Sequence, residues 1–354
     1  MLLLQKYQQK RRRRKIWLAV LATLTVLIIW QWELVHYGIM QAKGQYKVIT
    51  QSRPIAEVMA DPAFPDSLKK RLLLVNEIRQ YAIDSLGLKD TDSYHKLYDL
   101  KGKPIAYMLI VAHQYELVPV TWKFPIIGEF PYKGFFELEK VKKERDDWKA
   151  KNYDTRISEV AAYSTLGWFK DPILSSMLTY DDGRLAEVLI HEMTHATVFI
   201  PGKVEINENL ANFVGDYGAE RFLKYKYGVI SKQVLEYQEN KVFGDKFVKH
   251  INRGTLSLDS LYKTFKPTDA VAKKDTLKYH FIEKIVSSID TLYQALPNAK
   301  PHKFDIKKLP NNAYFVSFKT YNAKQNEFEQ EFNVKFKRNF KAYLAYLKTE
   351  YNKQ

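Results

Sequence analysis

The chain has 354 residues, 46% hydrophobic and 27% charged, which supports one large folded domain or two ordinary ones and excludes a mainly disordered polymer. It has no cysteine, so disulfides, iron–sulfur clusters, thiolate zinc sites and a cysteine nucleophile are excluded, and any transition metal must be held by His, Asp or Glu. The formal net charge is +16, but seven of the 56 basic residues fall in the first 15 positions and the rest are widely spread, so no nucleic-acid partner is expected.

Those seven are Lys6, Lys10, Arg11, Arg12, Arg13, Arg14 and Lys15. The run Ile16 to Trp32 that follows is apolar apart from Thr23, Thr25 and Gln31, with Trp17, Trp30 and Trp32 near its ends. Basic block, apolar run and terminal indoles together predict one transmembrane helix over 16–32. The charge bias puts residues 1–15 in the cytoplasm and 33–354 outside, as a single-pass protein of the bacterial inner membrane. A cleaved signal peptide shares the basic and apolar regions, but the small-x-small cleavage site is poorly formed.

Beyond the run, Leu34 to about Thr50 reads as helix, as does PIAEVMAD from Pro54. SLKKRLLLVNEIRQYAIDSLG carries Leu68, Leu72, Val75, Ile78 and Ile83 at helical spacing and stops at Gly87. From 104 to 136 the short aromatic and β-branched segments PIAYMLIVA, YELVPVTW and FPYKGFFEL predict strands. ELEKVKKERDDWKAKN is a charged helix, and RISEVAAYSTLGWF one more strand. Helices are expected over 182–199, 205–227, 231–252 and 269–295, a strand at AYFVSFKTY, and a last helix over 326–350. The expectation is an α+β fold: a small mixed sheet followed by a mostly helical half.

The segment LAEVLIHEMTHATVF contains His191-Glu192-Met193-Thr194-His195, the pattern HExxH, with Asp181 or Asp182 to cap its helix and Pro201-Gly202 to end it. Residues four apart share a helix face, so both imidazoles can point at one metal ion. Glu192, one position on, can reach water at that metal rather than the metal itself. Catalytic zinc keeps three protein ligands and one open position. Glu208, in Asn207-Glu208-Asn209-Leu210-Ala211 at the start of the next helix, is the best third ligand, with Glu205 nearer the turn as its rival. Leu210, Phe213, Val214 and Tyr217 give that helix an apolar stripe to pack antiparallel to the first. Asn212 lies one turn after Glu208, where it can orient a ligand or merely face solvent.

HExxH followed by NExxA resembles the Glu-zincin metallopeptidases. With RPIAEVMADP, AYSTLGWFKDPILSSML and NENLANFVGDYGAE, the chain from about residue 35 onward resembles the bacterial family labelled putative or predicted aminopeptidase. The resemblance implies a zincin-like fold, Zn2+ on His191, His195 and Glu208, Glu192 as general base, and a peptide substrate. Many family members look like lipoproteins with an N-terminal cysteine, which this chain lacks. In zincin folds an edge strand beside the active-site helix pairs with extended substrate, and AAYSTLGWF is the expected candidate. Tyr321 is one of several tyrosines that could face the oxyanion. Two other readings stay open: a zinc hydrolase of a non-peptide amide, and a non-enzymatic, membrane-tethered interaction protein with a structural metal.

Overall fold

The computed structural model describes residues 2–124, 128–160, 165, 169–294, 308–322 and 325–351. Two compact units divide the chain, Met1–Thr50 and Gln51–Gln354. The first holds α1 (Leu2–Trp30) and most of α2 (Trp32–Gln51). Among the described residues no helix is long and apolar enough to cross a membrane, which overturns the transmembrane segment expected at 16–32. The physical reason is length. The apolar run is cut at Gln31, so only Ile16 to Trp30 remains in α1, about 22 Å of helix against roughly 30 Å of hydrocarbon. The inner-membrane location and the membrane partner rested on that segment and lose their basis with it.

The second unit begins with β1 (Arg53–Pro54), α3 (Ile55–Ala60) and α4 (Asp66–Asp84). Helix α4 ends as its composition requires: Gly87 takes φ +71° and donates its N–H to Ile83 O at 3.1 Å. Next come β2 (Lys96–Tyr98), β3 (Tyr107–Ala112), β4 (Trp122–Phe124), β5 (Gly128–Phe130), β6 (Lys133–Phe135), α5 (Leu138–Lys149), β7 (Asp154–Glu159) and β8 (Ile173–Leu174). These strands form not one mixed sheet but three small ones: β1-β2-β8, β6-β3-β7 and the hairpin β4-β5. Strand β3, buried from Leu109 to Ala112, is the centre of the antiparallel trio, with Leu109 opposite Lys133 on one side and Ile157 on the other. YELVPVTW contributes only a bridge from Pro119 to Ala112 and, at Trp122, the start of β4. In the first sheet β8 runs parallel to β2 and leads through a 3₁₀ turn (Ser175–Thr179) into the helical half.

That half holds α6 (Asp182–Thr197), α7 (Val204–Tyr227), α8 (Lys232–Tyr262), α9 (Val271–Ser287), α10 (Ile289–Gln294), α11 (Asn312–Asn322), α12 (Gln325–Val334) and α13 (Phe340–Tyr351). AYFVSFKTY, expected as a strand, is α11. A short aromatic and β-branched run fits either period, and here the two asparagines before it decide. Asn311 Oδ1 accepts the Ala313 N–H at 3.1 Å, and Ala313 and Val316 bury their side chains against Ile110 and Ala112 of β3. The last helix is split: Lys337 and Arg338 turn at positive φ, and α13 folds back so that Phe332, Phe340 and Tyr343 surround Phe213 and Tyr217 of α7. Ile251, Leu258, Ile282, Ile285 and Phe315 form the core shared by α8, α9 and α11.

Candidate metal centre

Helix α6 starts where Asp181 caps it, its side chain accepting the Arg184 N–H at 2.8 Å. Arg71 of α4 pairs with Asp182 and donates to Tyr180 O at 2.5 Å, which ties that helix start to the rest of the unit. The helix gives way at Val198, and the chain reverses through Pro201 and Gly202, whose φ is +72°. Asn207, fully buried, holds this turn from both sides: its Oδ1 accepts the Ile200 N–H at 2.9 Å and its Nδ2 donates to Ile200 O at 2.7 Å. Glu208 is the next residue, so the clamp fixes where its carboxylate emerges.

The separation of α6 and α7 is set by glycine. A Cβ on Gly215 would lie 2.9 Å from Glu187 O and 3.3 Å from His191 Cβ, and one on Gly218 would lie 2.9 Å from the Ile190 side chain. With Ala211 and Ala219, both fully buried, these residues make a small-residue face that lets the two backbones approach. Leu185, Leu189 and Ile190 of α6 and Leu210, Val214 and Leu223 of α7 are buried around it.

Across this contact His191, His195 and Glu208 converge, with one ligand atom of each within 4.8 Å of the others. The two imidazole Nε2 atoms are 3.1 Å apart, His191 Nε2 is 3.5 Å from Glu208 Oε2, and His195 Nε2 is 3.6 Å from Glu208 Oε1. Glu205 is not in this set; its carbonyl oxygen accepts from Asn209 Nδ2 at 2.7 Å. Glu192 is half-buried one position from His191. Asn212 lies one turn past Glu208, on the wall of a cavity with Glu187 and Asp216. The side chain of Tyr321 and most of AAYSTLGWF lie outside the described residues.

Burial pushes His195 down to about 4, against the charge of Glu208, so this ring is neutral at physiological pH. Burial also works against the charged form of His191, but its hydrogen bond to Glu208 and the charges of Glu192 and Glu208 outweigh it and raise its pKa. Burial opposes the charge of Glu208 too, yet the two imidazoles hold its pKa below the usual value. His195 Nδ1 is buried with no hydrogen-bond partner among the described residues. Two nitrogen donors and a carboxylate turned to one point are the donor set that a zinc-class divalent ion takes.

Sequence reasoning missed two features here. Tyr94 is buried, takes φ +67°, donates its N–H to Asp171 O at 2.6 Å, and has its pKa raised by burial and then by the charge of Glu192. A non-glycine residue in the left-handed region marks a strained position beside the candidate base, and nothing local in TDSYHK announces it. The Asn207 clamp was visible only as the residue before Glu208.

No curated protein and no solved structure matches the chain. Residues 36–352 match the sequence profile of the family described as "Putative aminopeptidase". That match spans most of the chain and includes every residue of the site, and the protein belongs to this family.

Proposed function

We propose that the protein is a zinc-dependent peptidase in which His191, His195 and Glu208 hold the metal and Glu192 is the general base. The convergence of two imidazoles and one carboxylate within 4.8 Å carries this reading. Membership of an aminopeptidase family supports the choice of a peptide substrate.

Zinc bound there would supply Lewis acidity, lowering the pKa of water and polarising the scissile carbonyl. The protein's own part is positional. Glu208 and the two histidines sit on helices locked by the Gly215 contact and the Asn207 clamp, so the donors need no rearrangement. Glu192 follows His191 on the same helix, takes the proton of the attacking water and delivers it to the leaving amine. Tyr94 stays protonated beside it, because burial and the charge of Glu192 both oppose its ionisation.

The test has two parts. Metal analysis of the purified chain should find one zinc per molecule, lost in Glu208→Ala. A peptide mixture digested with and without chelator should show zinc-dependent cleavage that Glu192→Gln removes while keeping the metal. Absence of bound zinc, or undiminished cleavage by Glu192→Gln, defeats the reading.

A further inference from the structure

A cavity of about 440 Å³ lies between α8 and α9, and its charged lining is all of one sign: Arg253 and Lys284, with no Asp or Glu among the described residues. The helices meet here through a glycine. A Cβ on Gly254 would lie 2.5 Å from Ile285 Cγ2, so the two helices touch at this pair. The residue before each member of the pair is one of the two cations. Ser257 follows Arg253 by four residues and Ser288 follows Lys284 by four, so each helix presents a cation and a hydroxyl on one face of the cavity. Ile285 is the floor and packs into the core with Ile251 and Ile282.

The two cations are uncompensated. Near the turn that joins the same helices, Lys263 meets Asp259 at 2.7 Å and Lys273 meets Asp269 at 3.5 Å, each pair four residues apart. The corresponding neighbours of Arg253 are Lys249 and Ser257, and those of Lys284 are His280 and Ser288. Neither cation has an ion pair or a side-chain hydrogen bond among the described residues. Like charges in one cleft repel, and a bound anion removes that cost. The hydroxyls are free to turn toward it. Ser257 Oγ donates to Arg253 O at 3.1 Å and Ser288 Oγ to Lys284 O at 2.8 Å, and each carbonyl keeps its helical N–H when the hydroxyl leaves. His250 Nε2 lies 2.8 Å from Ile285 O and 3.1 Å from Ser288 Oγ. A carbonyl only accepts, so Nε2 carries the proton and the ring is held as one wall.

We propose that this cleft binds a phosphoryl group carried by a compact organic molecule, with Arg253 and Lys284 as its two counter-charges. A phosphate monoester brings a charge of about −1.5 to −2 and three acceptor oxygens, which two cations and two hydroxyls match. A carboxylate brings one charge and two oxygens, and leaves one cation unmatched. The cleft has room for more than the phosphoryl group, and the half-buried Phe281 ring with Ile285 supplies an apolar surface for the rest of an ester. The site shares no residue with the metal centre, so the proposal stands apart from the peptidase reading.

Calorimetric titration of the full chain with phenyl phosphate, inorganic phosphate and benzoate, in about 0.15 M salt to screen diffuse attraction, tests this. Phenyl phosphate should saturate one site per chain that benzoate does not fill. Arg253→Gln and Lys284→Gln should each weaken it about tenfold or more, the value of one charged hydrogen bond, and the double substitution should abolish it. Lys284→Arg should retain it. Both side chains are exposed, so the melting temperature should hold and a loss of binding reports the site. Inorganic phosphate separates the sources: weaker binding than phenyl phosphate identifies an ester, and equal binding identifies the phosphoryl group alone, each on the same two cations. Binding that survives the double substitution belongs to the metal centre or to the basic block at residues 10–15 and overturns the assignment, as does the absence of saturable binding at this salt.

Discussion

Two buried polar clusters lie in the second unit, and they are built to opposite standards. Around Asp154 the groups are closely paired. Lys278, fully buried, donates to Asp154 Oδ2 at 2.5 Å and to Gln114 O at 2.8 Å. The same carboxylate oxygen accepts the Asn312 N–H at 2.8 Å, and Asn312 Oδ1 takes the Tyr262 hydroxyl at 2.7 Å. Around His195 the rings and carboxylate stand 3.1–3.6 Å apart, and Nδ1 has no partner among the described residues. The first cluster joins β7, α9 and α11, with two Lys278 ammonium protons taken by oxygens and the Tyr115 and Tyr279 rings 5.6 and 5.4 Å from Nζ. The second keeps three donors turned to a common point. A buried network that satisfies itself holds a fold; one that leaves capacity open awaits something else.

The largest effect that would sharpen this contrast is on turnover. Glu192→Gln should lower kcat by about 10²–10⁴-fold, the usual contribution of a general base, with zinc content and melting temperature unchanged. Lys278→Met should do the reverse, costing about 3–5 kcal/mol in urea unfolding by stranding a buried carboxylate, while the folded fraction retains its zinc. Loss of zinc from folded Lys278→Met would break the comparison. Gly215→Ala should affect both properties: about 1–3 kcal/mol of overpacking, and zinc affinity lower by about tenfold because the new methyl presses on His191. The gentlest perturbation is acid. Metal needs neutral imidazole, so zinc affinity should fall as pH drops through the raised pKa of His191. The slope should stay near tenfold per pH unit until about pH 4, where His195 also takes a proton. A slope near one hundredfold per unit at pH 6 would mean that both rings titrate together.

The convergence of His191, His195 and Glu208 was legible in the sequence because its geometry is local. Residues 191 and 195 share a helix face by period alone, and a short turn returns the chain so that Glu208 meets them. Preference for Glu208 over Glu205 followed from its place within the second helix, and the coordinates bring Glu208 to the set. What escaped was long-range or marginal. Phe315 and Val316 fit a strand as well as a helix until β3 and the Asn311 cap are seen together. The apolar stretch at 16–32 has the composition of an anchor, but the break at Gln31 leaves too little continuous helix. The cavity beside Glu187 needs Tyr237 and Lys241 from α8, some fifty residues away along the chain, and no spacing rule reaches that far.

The brevity of the α6–α7 connection has a consequence for how the site comes into being. Everything that would grip the ion lies between His191 and Glu208, so little chain entropy is lost in closing that segment. The pairing of β3 with β7, by contrast, joins partners separated by roughly forty residues or more and closes a longer loop. The residues that would hold the ion are therefore all present in the emerging polypeptide once α7 has been synthesised, before α8 exists. Binding of an ion would then not have to wait for the rest of the helical half to be made.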